Sequence, residues 1–210
     1  GYGVGMTMQL AHAPTAGETV GGGVLSVGPG GKGSSQAIAC ARLGAQVSLF
    51  TALGSDSAAR EAVELWTAEG VGCSVVDKPS PTMTGFIMVD DSGENRIAVA
   101  PGALAELETN DLESFAPAIR NSDVLLVSLE IPIAVAVTAL DVAHRAGVTT
   151  VLNPAPAEEL PDGIWQLVDY LTPNAGEGER LIDSRAAQGS VAVARALRDR
   201  TGGTVVRTRG

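Results

Sequence analysis

Gly28-Pro29-Gly30-Gly31-Lys32-Gly33-Ser34-Ser35-Gln36 follows an apolar, strand-like stretch and opens a helix-like one. Its glycines let main chain approach another group more closely than any Cβ permits, and a helix start presents N–H groups to whatever lies there. The stretch therefore reads as a small-molecule cradle. Gly28, Gly30 and Gly33 also satisfy G-x-G-x-x-G, with Asp56 further along, so a dinucleotide-binding domain is a competing reading. Against it, extended stretches precede the glycines, and Asp56 lies past Gly54 where a helix cap is expected. A Walker-type phosphate loop is excluded, because Lys32 is followed by Gly33 where Ser or Thr is required. A third reading is a turn that merely packs a helix closely on a strand.

Working outward, residues 3–10 read as a strand and 18–27 as a second extended stretch. A helix is expected over 33–43, with Gly44 as its stop, then a strand over 46–51 and a helix from the Asp56 cap to about Ala68. The segment 82–100 differs in kind: 85–89 and 95–99 flank the turn Asp90-Asp91-Ser92-Gly93, a β-hairpin inserted in an alternating chain. Beyond it the expected elements are a helix over 111–119, a strand over 123–129 and a helix over 133–144. Strands over 149–152 and 170–172, a helix over 187–200 and a strand over 204–206 complete the chain. Such alternation predicts an α/β fold, a mostly parallel sheet sandwiched by helices, with ligands at the carboxyl ends of the strands.

Composition narrows the partners. The 210 residues are 45% hydrophobic but only 3% aromatic, with 26 glycines, which suits Ala, Val and Leu packing on a parallel sheet in one main domain. A net charge of −10 argues against nucleic acid or an anionic membrane surface as partner. No apolar run reaches the roughly 18 residues of a membrane span, and no basic leader opens the chain, so a soluble cytoplasmic protein is expected. Cys40 and Cys73 lack metal-site spacing and are expected to be buried apolar residues. His12 and His144 are isolated, the latter suited to a solvated position near a helix end.

The glycine stretch has company: Gly17-Glu18-Thr19, Gln36-Ala37, Ala41-Arg42-Leu43-Gly44-Ala45, Asn153-Pro154-Ala155-Pro156-Ala157, and Thr172-Pro173-Asn174 with Glu177. In order and spacing these resemble the ribokinase branch of the PfkB carbohydrate kinase family from about Pro14 to Gly210. The resemblance implies a ribokinase-like fold over 1–210 with a small inserted β-lid formed by about 6–27 and 82–100, and ATP-dependent phosphorylation of a sugar hydroxyl. It further implies sugar contacts from Gly31, Lys32, Gly33, Ser35 and Glu130, and nucleotide contacts from Asn174, Thr208 and Gly210. Glu177 would reach Mg2+ through water, a monovalent cation is a further candidate, and a homodimer through the lid is expected. The lid's apolar face is expected to include Phe86, Met88 and Ile97, and Asn153-Pro154-Ala155-Pro156 to act as scaffold.

Four departures accompany the resemblance. The family's general-base aspartate belongs to a Gly-Ala-Gly-Asp type motif, and none occurs in the sequence, so these residues alone are expected to be inactive. Where the first strand should carry Asn-x-Asp for sugar hydroxyls, the chain has Met8-Gln9-Leu10, and Ser35 stands where Asn is usual. Arg207 and Arg209 flank Thr208 where apolar residues are usual, suited either to phosphate or to solvent. The alternative of another class is a non-catalytic remnant that binds a sugar or nucleoside, or that dimerises through its lid.

Overall fold

The computed structural model describes residues 1–182 and 189–208. It comprises two compact units, Gly1–Glu106 and Leu107–Gly210. The first contains β1 (Gly3–Gln9), β2 (Val24–Gly30), α1 (Lys32–Arg42), β3 (Ser48–Leu53), α2 (Ser57–Ala68), β4 (Gly72–Asp77), β5 (Met83–Val89) and β6 (Asn95–Ala100). Four of these strands form a sheet in the order β2-β1-β5-β6, with β1 parallel to β5 and antiparallel partners on either side. β3 and β4 form a separate parallel pair.

The inserted hairpin is β5–β6. Its turn is closed by the Asp90 carboxylate, which accepts from the Ser92 hydroxyl and from the N–H groups of Ser92 (3.0 Å) and Glu94 (3.1 Å). Those bonds, the Ser92 hydroxyl foremost, hold the Asp90 carboxyl below its usual range. The stretch 18–27 is extended only from Val24, and β2 then runs on through Gly30, so Gly28 and Gly30 are sheet residues and the turn itself is Gly31. In the connection before β2, Glu18 accepts from the N–H and hydroxyl of Thr15, both at 2.9 Å, and pairs with His12 Nε2 at 2.7 Å. These partners hold its pKa at about 2, the Thr15 N–H contributing most, and His12 is thus not isolated.

β4 is absent from the sequence reading, its Gly72-Cys73-Ser74 opening being indistinguishable from loop. Cys73 is exposed and Cys40 half-buried, against the expectation of two buried thiols. The reason is placement: Cys73 lies opposite Leu49 on a strand whose only paired neighbour among the described residues is β3. Tyr2, Ala37, Leu53, Ala62, Trp66 and Val71 form the core between α1, α2 and the β3–β4 pair. Burial, aided by the charges of Glu61 and Asp56, pushes the Tyr2 phenol up, so it remains neutral.

The second unit opens with a 3-10 turn, Thr109–Leu112, and a short α3 (Ala116–Arg120) in place of the single helix expected over 111–119. Pro117 explains the break, because it has no N–H to give and fits only the first turn of a helix. Then come β7 (Val124–Ser128), α4 (Ile133–Arg145), β8 (Thr149–Asn153), β9 (Tyr170–Leu171), α5 (Ala175–Leu181), α6 (Ser190–Thr201) and β10 (Thr204–Val205). The sheet β10-β9-β8-β7 is wholly parallel. α4 turns Val135, Ala136, Ala139, Leu140 and Ala143 inward on one stripe, and His144 is exposed in its last turn. The helix expected over 187–200 is α6; Ala187 lies outside the described residues.

One carboxylate ties α2 to the root of the hairpin. Asp56 caps α2 by accepting from Ala59 N–H (2.9 Å), and it also accepts from the N–H and hydroxyl of Thr82, both at 2.8 Å. Partial burial works against its charge, but the bonds from Thr82 and Ala59 outweigh it and hold its pKa below the usual range. Loss of a cap with two further bonds costs about 2 kcal/mol, so Asp56→Ala should lower the urea midpoint accordingly. Because the folded-state pKa is depressed, the contribution is full above the unfolded carboxylate pKa and is lost as pH falls through the folded one. The gap between wild type and Asp56→Ala should therefore narrow on acidification; a gap constant from pH 7 to below pH 3 would contradict the clamp.

Candidate functional site

Two groups of predicted residues are assembled by the fold, one in each unit. In the first, Gly31 to Ser35 form the turn into α1. Gly31 has φ +95°, and a Cβ on it would lie 2.5 Å from Gly1 O and 2.6 Å from Tyr2 Cα. A Cβ on Gly33 would lie 2.4 Å from Gly1 N. These two glycines are therefore demanded by the chain's own start. Gly28 and Gly30 are different: an added Cβ meets nothing within 4 Å at Gly28 and only Gly3 O at 3.5 Å and Gly5 N at 3.9 Å at Gly30.

Lys32 and Ser35 are exposed on the first turn of α1. Between them, Ser34 is buried, its N–H donating to Gly1 O (2.9 Å) and its Oγ accepting from Trp66 Nε1 (2.8 Å). Neither Ser34 nor Trp66 stands out in the sequence, where Trp66 is one more apolar position of an amphipathic helix.

Register corrects the reading of β1. Met8 pairs with Leu25 and Gln9 with Val24, at the end of the sheet remote from the turn. The residues of β1 beside the turn are Gly3, opposite Gly30, and Gly5, opposite Gly28. Gly5 also lies opposite Gly85, so this face of the sheet carries no side chain at five positions: Gly3, Gly5, Gly28, Gly30 and Gly85. The other face carries Met6, Met8, Leu25, Val27, Phe86 and Met88, with Leu25, Val27 and Phe86 exposed. Ile97 pairs with Ile87, whereas Phe86 pairs with Ala98, so Ile97 does not share the face of Phe86 and Met88.

The dinucleotide reading fails on the same geometry. Its glycine turn must follow the first strand of a parallel βαβ unit, yet Gly28 and Gly30 lie within a strand antiparallel to β1. Asp56, its acidic partner, is fully engaged by Ala59 and Thr82.

In the second unit the candidates line the carboxyl edge of the parallel sheet. Glu130 follows β7 by two residues and is half-buried. Asn153 ends β8 and donates through Nδ2 to Thr172 O (2.9 Å), while Leu129 N–H donates to Ala155 O (3.1 Å). Asn153-Pro154-Ala155-Pro156, with its cis Ala155–Pro156 bond, thus joins the segments leaving β7 and β9. Asn174 and Glu177 form a reciprocal capping box at α5: Glu177 N–H donates to Asn174 Oδ1 and Asn174 N–H to Glu177 Oε2, each at 2.8 Å. Thr208 N–H donates to Pro173 O (3.0 Å), which brings Thr208 beside that cap. Gly210 and Arg209 lie outside the described residues.

Arg207 is largely buried and paired with an acidic residue, and it lines a surface pocket together with Arg195 and Arg198. Its side chain is 13% exposed and reaches Glu179 Oε1 (3.2 Å) and Ala175 O (3.4 Å). As for metals, no cluster of three or more His, Cys, Asp or Glu among the described residues could hold one directly. Glu177 keeps one oxygen beyond its capping bond, which is compatible with contact to a metal-bound water. No helix among the described residues is long and apolar enough to cross a membrane.

The chain is similar to several known proteins. The chain is 38% identical over 207 residues to a ribokinase of Haemophilus influenzae, covering 97% of this chain and 68% of that protein. It is 39% identical over 154 residues to a ribokinase of Staphylococcus aureus, covering 72% of this chain and 51% of that one. Among solved structures, the ribokinase of Thermotoga maritima superposes with a TM-score of 0.86 at 30% identity, over 98% of this chain and 68% of that one. The chain thus spans about half to two thirds of the length of these relatives. Residues 4–210 match the family described as pfkB family carbohydrate kinase, and with these relatives the chain belongs to that family, in keeping with its ribokinase branch.

Proposed function

We propose that the full-length gene product transfers the γ-phosphoryl group of ATP to a primary hydroxyl of a furanose-like sugar, acting with Mg2+ in the cytoplasm. What carries the reading is family membership together with Asn174, Glu177 and Thr208 meeting at the carboxyl edge of a parallel sheet, where such folds bind ligands. Phosphoryl transfer asks the protein chiefly to position two substrates and to stabilise spreading charge. Lys32 and Ser35, exposed on the first turn of α1, are assigned to sugar hydroxyls along with the main chain of Gly31 and Gly33 and the Glu130 carboxylate. Asn174, Thr208 and Gly210 are assigned to the nucleotide, and Glu177 to a metal-bound water. When bound, Mg2+ neutralises phosphate charge. The general base is assigned to a Gly-Ala-Gly-Asp type stretch, which residues 1–210 do not contain.

The β2-β1-β5-β6 sheet is proposed to serve as a lid. Its glycine-bearing face would cover the sugar and exclude water from the phosphoryl donor. Its opposite face, with Leu25, Val27 and Phe86 exposed, would meet a second copy. One observation favours a second reading, sugar or nucleoside binding without transfer: β1 offers only Gly3 and Gly5 beside the glycine turn, where the family supplies polar side chains.

Assay of the full-length product with Mg-ATP and D-ribose, D-fructose or adenosine should give turnover with at least one. Calorimetric binding of one of them with no turnover would establish the second reading instead. Gly5→Asp should strengthen D-ribose binding about tenfold, since a new charged acceptor contributes about 1.5 kcal/mol and its Cβ has room, with Gly28 O at 3.7 Å. Gly3→Asn should not, because its Cβ would lie 2.6 Å from Met83 O. For the lid, light scattering should find a dimer that Phe86→Glu converts to monomer; a wild-type monomer at micromolar concentration would remove that proposal.

A further inference from the structure

α1 starts without a side-chain cap, its N-cap being Gly31. Something else must fix which way its first turn faces, because that turn carries the two side chains assigned to the sugar. Ser34 supplies the hold. It is 2% exposed, and it is pinned twice: by its N–H to Gly1 O and by its Oγ to Trp66 Nε1. Trp66 is 0% exposed and is itself fixed edge-on by Tyr2, with ring centroids 5.4 Å apart and planes at 79°.

Consecutive helical residues project about 100° apart. With Ser34 held toward the core, Lys32 is turned to nearly the opposite side and Ser35 a quarter-turn away, which matches the exposure of both. Ala37, one turn on from Ser34, is buried on the same side. An apolar contact at Ser34 would fill the space without setting rotation, since apolar burial is non-directional whereas a hydrogen bond is aligned. The indole N–H also has to find an acceptor once buried, and Ser34 Oγ is the one it has.

We infer that Trp66 and Ser34 are positioning residues for the sugar site: Trp66, from α2, fixes the first turn of α1 through Ser34 so that Lys32 and Ser35 are presented to the sugar. The inference rests on the sugar-kinase reading, and its test separates the two. Trp66→Phe keeps the ring and its contact with Tyr2 but removes the donor; Ser34→Ala removes the acceptor; the double variant leaves an apolar pair with neither group unsatisfied.

In the full-length product, each single variant should raise the KM for D-ribose about tenfold while kcat and the KM for ATP stay within about twofold. Hydrogen exchange of the amides of residues 32–36 should quicken in both. The double variant should recover the melting temperature lost by the singles yet keep the raised sugar KM. A folded variant with unchanged sugar KM and unchanged exchange, or a double variant that restores KM together with stability, would overturn the role. If the wild type phosphorylates no sugar, the kinase reading falls alone and exchange decides the rest: faster exchange upholds the pinning of the turn, and unchanged exchange overturns it.

Discussion

The main chain of Gly1 and Tyr2 runs against the turn at Gly31 and Gly33 so closely that no β-carbon fits at either glycine, and the first unit depends on that approach. It lets Gly1 O accept from Ser34 N–H, which sets the start of α1. It also places Tyr2 against Trp66 and so joins the beginning of the chain to the core between α1 and α2. The glycines that look in sequence like an opening for a ligand are thus of two kinds. Gly31 and Gly33 are consumed by internal packing; Gly28 and Gly30 leave real space on the sheet face beside the turn.

That division marks the limit of what was legible in the sequence. The alternation of strand and helix, the hairpin at Asp90-Asp91-Ser92-Gly93 and the cap at Asp56 follow from local chemistry, and each appears in the fold. The motif at Asn174 and Glu177 was equally legible, since a capping box needs only the two residue types at the right spacing. Strand register was not. Which residue of β1 faces Gly30 depends on pairing partners more than twenty positions away, and a shift along the strand put Met8-Gln9-Leu10 where Gly3 and Gly5 belong. The same parity separated Ile97 from Phe86 and Met88. Nor could sequence expose the bond from Trp66 to Ser34, because a tryptophan on an apolar stripe carries no local sign of which acceptor its indole will find.

The two groups of candidate residues differ in how their polar atoms are occupied. Asn174 and Glu177 spend one oxygen each on closing α5, and the remaining carboxylate oxygen of Glu177 is what stays available at that edge of the sheet. Thr208 is brought to the same place by its main chain, which leaves its hydroxyl uncommitted to the backbone contact. Around α1 the arrangement is reversed. The buried member of the turn, Ser34, is bonded through its N–H and its Oγ, and the outward members, Lys32 and Ser35, are the ones proposed to meet the sugar.

The two faces of the β2-β1-β5-β6 sheet differ: one has five glycines near the turn, with Met83, Ile87, Ile97 and Val99 around them, and the other carries Met6, Met8, Leu25, Val27, Phe86 and Met88. Because neighbouring residues along a strand alternate between those sides, inserting or deleting one residue within β1 or β5 would exchange the two surfaces wholesale. A change of length within these strands is therefore more disruptive than one in the irregular connection over 10–23. Divergence in what the protein recognises must then be written in residue identity on the strands and in loop length between them, along separate paths.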